Sequence, residues 1–278
     1  MVPYRKKKKG GGYRMKTAVI TGAAGGMGSA AAKRLISEGW TVWGLDRRKP
    51  EDIPGLRFIE TDLTDPESPA EAARILGGNG ARIDAVVHMA GIYDLNSLVE
   101  MPEEDWTRIF SVNLSAVYQI NRELLPLFGE RAMIVITSSE LAPLDPLPFT
   151  GIYGVTKAAL EKYAFSLGME LQLLGHRVTV IRPGAVDTGL LGVSTDRLDR
   201  FCRTTKLYPR GAEKIKKIVD RVESRKIPPE KIAALVSKIL SSKRPRRVYR
   251  INRNPLLLMM NALPDGVQHA LIRALLKK

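Results

Sequence analysis

Tyr153 and Lys157 stand four residues apart at the start of a helical pattern, so their side chains share one face, one turn apart. A phenol ordinarily titrates near pH ~10, and acting as a base near neutrality requires lowering it by several units, each worth about 1.4 kcal/mol. An ammonium one turn away, joined by the positive charge of an oxidised nicotinamide, could supply that shift. The spacing alone says little, because Tyr4 and Lys8 repeat it. Ser138 and Ser139 add weight. They follow the β-rich run Ala132–Thr137, and the carboxyl ends of strands face the ligand crevice in a doubly wound sheet. A hydroxyl there could hold a substrate oxygen against the Tyr153 hydroxyl. Asn113 lies inside a helical pattern, a place where asparagine is usually exposed; here it would face the crevice.

A second constellation lies upstream. Thr21-Gly22-Ala23-Ala24-Gly25-Gly26-Met27-Gly28 follows the first β-rich run and leads straight into a helix. Glycines let backbone approach a pyrophosphate, and the helix N-terminus offers free N–H groups and a positive dipole end. The Gly-x-x-x-Gly-x-Gly spacing lacks the Gly-Lys-Ser/Thr of a kinase-type phosphate loop. Asp46 ends the second β-rich run, where an acid accepts hydrogen bonds from ribose hydroxyls and repels a 2′-phosphate. NAD is therefore expected, with NADP kept open by Arg47 and Arg48, whose guanidiniums could pair with that phosphate.

These residues need a frame. Short β-rich runs occur at Thr17–Thr21, Thr41–Leu45, Leu56–Glu60, Ala85–His88, Ala132–Ile136 and Val178–Ile181. Helical patterns alternate with them at Met27–Glu38, Pro69–Leu76, Trp106–Phe128 and Tyr153–Leu174. Ser68 followed by Glu71 reads as a capping box for the second helix. Such alternation implies an α/β fold, a Rossmann-type doubly wound parallel sheet in three α/β/α layers. One such domain is expected over residues 17–251. After Gly184 the pattern loosens: a polar, basic stretch from Asp187 to Gly211 precedes helical stretches Glu213–Ser224 and Pro229–Ser241 and an extended piece Arg247–Ile251. Residues 189–241 are expected to cover the substrate.

Taken together, the set resembles the short-chain dehydrogenases/reductases, over essentially residues 17–251. The resemblance rests on Gly22, Gly26 and Gly28, on Asp62-Leu63 and Ala90-Gly91, on Asn113, Ser139, Tyr153 and Lys157, and on Pro183-Gly184-Ala185-Val186-Asp187-Thr188. It implies that Tyr153 is the general acid/base and that Lys157 lowers its pKa and binds the nicotinamide ribose. It implies further that Ser139 orients the substrate carbonyl and Asn113 holds a proton-relay water. Asp62 would contact the adenine amino group, and Val186 and Thr188 the carboxamide. Gly22, Gly26, Met27, Gly28, Asp46, Leu63, Ala90, Gly91 and Pro183 complete the expected dinucleotide site. Two departures stand out. His88-Met89-Ala90-Gly91 replaces the usual Asn-Asn-Ala-Gly, losing an amide that ties neighbouring strands. Ser139 precedes Tyr153 by one residue more than the commonest spacing, so Ser139 is preferred and Ser138 is the alternative.

Composition bounds the rest. The chain has 278 residues, 44% hydrophobic and 26% charged, as in ordinary globular enzymes. One cysteine, Cys202, excludes an internal disulfide and cysteine-rich metal clusters, and scattered histidines argue against a metal. A reducing cytoplasmic setting fits. The net charge of +15 is uneven: residues 1–16 carry seven basic side chains and no acid, residues 17–195 are acidic on balance, and the C-terminal third is strongly basic. Residues 1–16 read as a disordered basic tail and residues 252–278 as an apolar, basic extension. Within it, Val267, Ala270, Leu271, Ala274 and Leu275 share one face of a helical pattern preceded by Arg244, Arg246, Arg247, Arg250 and Arg253. That combination suits peripheral contact with an anionic membrane; the alternative is that these apolar residues, with the run Leu256 to Met260 before them, cap the substrate pocket or are buried in a homo-oligomer interface. Charge without interleaved aromatics argues against specific nucleic-acid binding. The expected function is reversible hydride transfer between nicotinamide and a lipophilic secondary alcohol or ketone of steroid-, retinoid- or hydroxyacyl-like kind. A catalytically silent dinucleotide-binding regulator is the alternative.

Overall fold

In the computed structural model, strand β1 (Thr17–Thr21) is buried along its whole length, as a central strand with both faces covered must be. Residues 14–277 are described, Ser224 excepted, with the side chains of all these but 189–196 and 221–223. The expected tail falls mostly outside the described residues. Its last three do not hang free: Arg14 pairs with Asp84 at 2.5 Å, and the Lys16 carbonyl accepts from Thr41 N–H.

The strands β2 (Thr41–Asp46), β3 (Leu56–Glu60), β4 (Ile83–His88), β5 (Phe128–Thr137), β6 (Arg177–Pro183) and β7 (Val248–Ile251) join β1 in one parallel sheet, ordered β3-β2-β1-β4-β5-β6-β7. The order reverses between β1 and β4, and the crevice at that switch is where ligands bind in such sheets. Side chains alternate across the sheet. Ala18 and Ile20 face α1 (Gly26–Ser37) and α8 (Pro229–Ser241), whereas Val19 faces α2 (Ser68–Gly78), α4 (Ala116–Leu124) and α5 (Gly151–Leu171). The doubly wound three-layer architecture follows from that two-sided burial.

The structure departs from the sequence expectations at informative places. Ser68 does not cap α2; its hydroxyl accepts from the Asp62 backbone N–H, and Glu67 occupies the cap position. The single helix expected over Trp106–Phe128 is α3 (Glu103–Phe110), a π-helical turn at Ser111–Ser115, and α4, with Phe128 already in β5. Such turns arise where a side chain is held in an unusual position, frequently at functional sites. The loosened stretch from Asp187 contains α6 (Gly189–Thr204), whose Arg197 lines the crevice, and α7 (Pro209–Glu223) packs on α6 to complete a roof. The C-terminal segment forms α9 (Pro255–Asn261) and α10 (Asp265–Lys277). A third apolar cluster gathers Leu198 and Phe201 of α6, Ala212, Ile215 and Val219 of α7, Leu276 of α10, and Leu95 and Phe149 of the body.

Candidate active site

The glycine loop is tight for reasons of contact. A Cβ on Gly28 would lie 2.1 Å from the Gly22 carbonyl oxygen. Gly22 has φ +71° and passes so close to Ala90 that a Cβ would meet its nitrogen at 2.6 Å. The loop thus leans on the β4 end, where Ala90 and Gly91 begin the next turn. Asp46, at the end of β2, accepts from Ala24 N–H at 3.0 Å and from Arg48 N–H at 3.2 Å. It therefore braces the glycine loop as well as facing the crevice. Asp62 accepts from both the backbone and the hydroxyl of Thr64, which holds its carboxyl below the usual range, with Arg47 contributing. Gly22, Gly26, Met27, Gly28, Asp46, Asp62, Leu63, Ala90, Gly91 and Thr188 all line this crevice, of about 470 Å³. A long, glycine-floored trough with a carboxylate at one end fits a dinucleotide, so these residues could hold one.

The crevice opens into a smaller hollow lined by Met27, Met89, Tyr93, Ser138, Ser139, Glu140, Leu141, Tyr153, Lys157, Pro183, Val186 and Leu257 among others. The Ser139 hydroxyl accepts from Leu141 N–H at 3.1 Å and pairs with the Tyr153 hydroxyl. Ser138 is buried and its hydroxyl has no partner, so Ser139 is the serine that reaches Tyr153. Tyr93 packs edge-on against Tyr153, ring centres 4.6 Å apart. The Lys157 ammonium donates to the Thr137 carbonyl at 3.1 Å and lies 5.6 Å from the Tyr153 ring centre.

Burial dominates the electrostatics. It pushes the Tyr153 phenol up to about 12, with only the Ser139 hydrogen bond pulling the other way. It depresses Lys157 to about 8, partly opposed by Glu161 one turn along α5. The lowering of Tyr153 expected from Lys157 is therefore not supplied by the protein alone. Glu161 itself is held by Arg182 of β6 in a half-buried pair.

Asn113, in the π-helical turn, lines neither hollow. Its amide nitrogen donates to the Ile92 carbonyl and to the Thr156 hydroxyl, and its oxygen accepts from Ile92 N–H at 2.8 Å. Both amide protons are committed. A Cβ on Gly91 would sit 3.4 Å from that oxygen and 3.5 Å from the Lys157 nitrogen, so Asn113 backs the wall behind Lys157. His88 is buried and bonded to Asn121 Oδ1 at 2.9 Å, and burial lowers it to about 4, leaving it neutral. Asn121 in turn donates to the Tyr163 hydroxyl, so the chain His88–Asn121–Tyr163 ties β4 to α4 and α5. The strand ties lost with the missing amide are supplied differently: Thr137 donates to the Met89 sulfur at 3.0 Å, and Ala90 N–H to the Thr21 hydroxyl at 3.3 Å. Sequence reasoning missed Tyr93 and Glu140: Glu140 belongs to a segment without a period of its own, and Tyr93 follows the Ala90-Gly91 turn as a lone aromatic, whereas Leu257, from the apolar run that could cap the pocket, lines the hollow.

The short chain dehydrogenase family profile matches residues 16–198, well over half the chain. The protein belongs to that family. A 3-ketodihydrosphingosine reductase of Bacteroides thetaiotaomicron is 26% identical over 92% of this chain and 96% of its own. A serine 3-dehydrogenase of Rhizobium radiobacter is 33% identical over 64% of this chain and 75% of its own. Among solved structures, a short-chain dehydrogenase of Streptomyces avermitilis superposes with TM-score 0.74 at 22% identity, covering 94% of this chain and 96% of that one. The ligand-free aldohexose dehydrogenase of Thermoplasma acidophilum gives 0.70 at 23% identity, over 87% and 96%. These two share the fold. As a member of this family the protein is an oxidoreductase with a Rossmann nucleotide-binding fold, and the family uses NAD(P) cofactors.

Proposed function

We propose that this oxidoreductase transfers hydride reversibly between nicotinamide and a secondary alcohol or ketone with a lipophilic body, preferring NAD. The observation that carries the reading is the meeting of Ser139, Tyr153 and Lys157 on one wall of a hollow continuous with the glycine-floored crevice. Bound dinucleotide supplies the hydride donor or acceptor. Tyr153 gives the substrate oxygen its proton in reduction and removes it in oxidation, while Ser139 holds that oxygen beside the phenol. Lys157 has two ammonium protons left after its bond to Thr137, enough for ribose hydroxyls. Asn113 supports this wall; with its amide committed, any relay water would be held through its backbone. Asp46 favours ribose hydroxyls over a 2′-phosphate.

A lipophilic substrate is supported by the apolar side chains around the hollow and by the reductase relative that spans nearly the whole chain. A screen of hydroxysteroids, retinol, hydroxyacyl thioesters, long-chain ketones and sugar alcohols, with both cofactors and nicotinamide absorbance as readout, tests it. Turnover confined to sugar alcohols would overturn the lipophilic reading. A silent regulator would have no use for the three-residue wall, and no observation favours it.

Support for peripheral contact with an anionic membrane comes from the C-terminus. In α10 it is Gln268, Ile272 and Leu276 that turn inward, leaving Val267, Leu271 and Leu275 exposed, and Leu256 and Met259 of α9 are exposed beside a strongly basic surface. Among the described residues no helix is long and apolar enough to cross a membrane. Homo-oligomerisation is supported by Tyr118, Phe165 and Met169, exposed on α4 and α5.

A further inference from the structure

Helix α9 turns one side chain inward: Leu257 is buried, while its neighbours Leu256 and Met259 face out. Leu257 points into the hollow that holds Ser139 and Tyr153. The helix is pinned at both ends to the turn that follows β5. At its start, Asn254 N–H donates to Glu140 Oε2 at 2.6 Å, and the Asn254 side chain caps the helix through Leu256 N–H. At its end, Asp145 N–H donates to the Asn261 side-chain oxygen at 2.6 Å. Glu140 directly follows Ser139, and its own N–H is fixed to the Pro183 carbonyl. Asn252 grips the opposite rim by donating to the Ala185 carbonyl, and Gly184 approaches Asn252 so closely that a Cβ would meet its oxygen at 1.9 Å. The segment from Asn252 to Asn261 therefore bridges the two strand ends between which substrate would lie. It lies beyond the residues matched by the family profile.

We propose that α9 is the specificity-determining wall of the substrate pocket, with Leu257 limiting the reach of an aliphatic arm on the ketone or alcohol and Glu140 as the positioning residue that seats the wall beside Ser139. The inference rests on reading this hollow as the substrate site. Burial raises the Glu140 carboxyl, and the Asn254 N–H and the nearby Arg253 charge oppose that rise, as expected of a carboxylate used as an anchor inside an apolar wall. The occupant of the hollow is then a ketone or secondary alcohol with an unbranched apolar arm, packed between Leu257 and the Met27–Met89 side.

The test is a series of straight-chain methyl ketones of increasing length, assayed with the full-length protein. One methylene in an apolar pocket is worth about tenfold or more in kcat/KM. Leu257→Ala should raise the ratio of kcat/KM for long over short ketones by about tenfold, and Leu257→Phe should lower it by a similar factor. Glu140→Ala should raise KM for the longer ketones more than it lowers kcat, and Glu140→Gln, whose amide oxygen still accepts from Asn254, should restore the wild-type split. If wild type reduces the ketones and all variants keep the same length profile, this inference fails and the catalytic reading stands. If wild type binds NADH but reduces no ketone of any length, the substrate reading of the hollow fails and takes the inference with it.

Discussion

The Lys157 ammonium, 5.6 Å from the centre of the Tyr153 ring, gives its hydrogen bond to the Thr137 carbonyl rather than to the phenol. Proximity without a direct bond leaves burial in control, so the phenol is raised and the amine depressed. On the proposed mechanism, positive charge brought into the adjoining crevice is what would make Tyr153 acidic enough to act.

Titrating the phenolate tests this directly. The absorbance difference between wild type and Tyr153→Phe should place the Tyr153 ionisation near 12 without cofactor. Oxidised dinucleotide should pull it down and reduced dinucleotide should not. An ionisation insensitive to the redox state of the cofactor would refute the scheme. In turnover, Tyr153→Phe should cost on the order of 10²–10⁴ while cofactor affinity holds. Lys157→Ala should damage both.

Lys157 also links stability to pH. Its folded value is about 8 against an ordinary 10.5, so between these the unfolded chain binds the extra proton. Stability should therefore rise with pH across that window, the burial penalty being complete below it and gone above it. Denaturant melts from about pH 7.5 to about pH 10 should show that rise in wild type and not in Lys157→Met. Tyr153, raised in the fold, acts oppositely only above its ordinary value of 10.0. Parallel curves for the two proteins would contradict the assignment.

Asp46 braces the glycine loop through Ala24 N–H and, on the proposed reading, would accept the ribose hydroxyls, so a substitution should reveal both. Wild type should bind NADH more tightly than NADPH. Asp46→Ala should narrow the gap by weakening NADH, and should also loosen the loop, because Ala24 N–H loses its acceptor. Equilibrium titration of cofactor fluorescence measures the first, and protease sensitivity of the loop the second. Tighter NADPH binding by wild type would instead assign Arg47 or Arg48 to a 2′-phosphate.

For the C-terminus, truncation is a poor probe, since it would remove Leu257 from the pocket and Leu276 from the roof. Replacing the outward Val267, Leu271 and Leu275 by serine spares both. Intact protein should sediment with anionic vesicles, less so as salt rises, and the triple variant should not. If the variant instead changes oligomer size and neither protein touches vesicles, the apolar stripe is a subunit interface.

Much of this was legible in the chain. Six of seven strands and the glycine loop announce themselves because each is a short apolar run beside a turn, which periodicity reports well. The elements that escaped depend on distant partners. Ser68 has the right neighbours for a cap, yet Asp62 N–H claims its hydroxyl. Asn113 reads as a mid-helix polar residue; only Ile92 and Thr156, brought up from elsewhere, explain the π-helical turn around it. Helix α6 is so polar that its inward Leu198 and Phe201 leave a faint pattern. In α10 the apolar face read from the period, Val267, Leu271 and Leu275, is exposed, whereas the inward face of Gln268, Ile272 and Leu276 has no apolar period to announce it.

The third apolar cluster gives the crevice a roof with an interior of its own. Leu198, Phe201, Ala212, Ile215, Val219 and Leu276 hold α6, α7 and α10 to one another, and the roof meets the body through Tyr93, Leu95, Leu147 and Phe149, the Arg197–Asp94 pair and the bonds of Glu100 to Thr205, Lys206 and Leu207. Because that interior is separate from the two cores on the sheet, the three helices can part from the body with their own apolar contacts kept. Amide protons along the three helices should then exchange together, at a rate set by their joint lifting from the body rather than helix by helix.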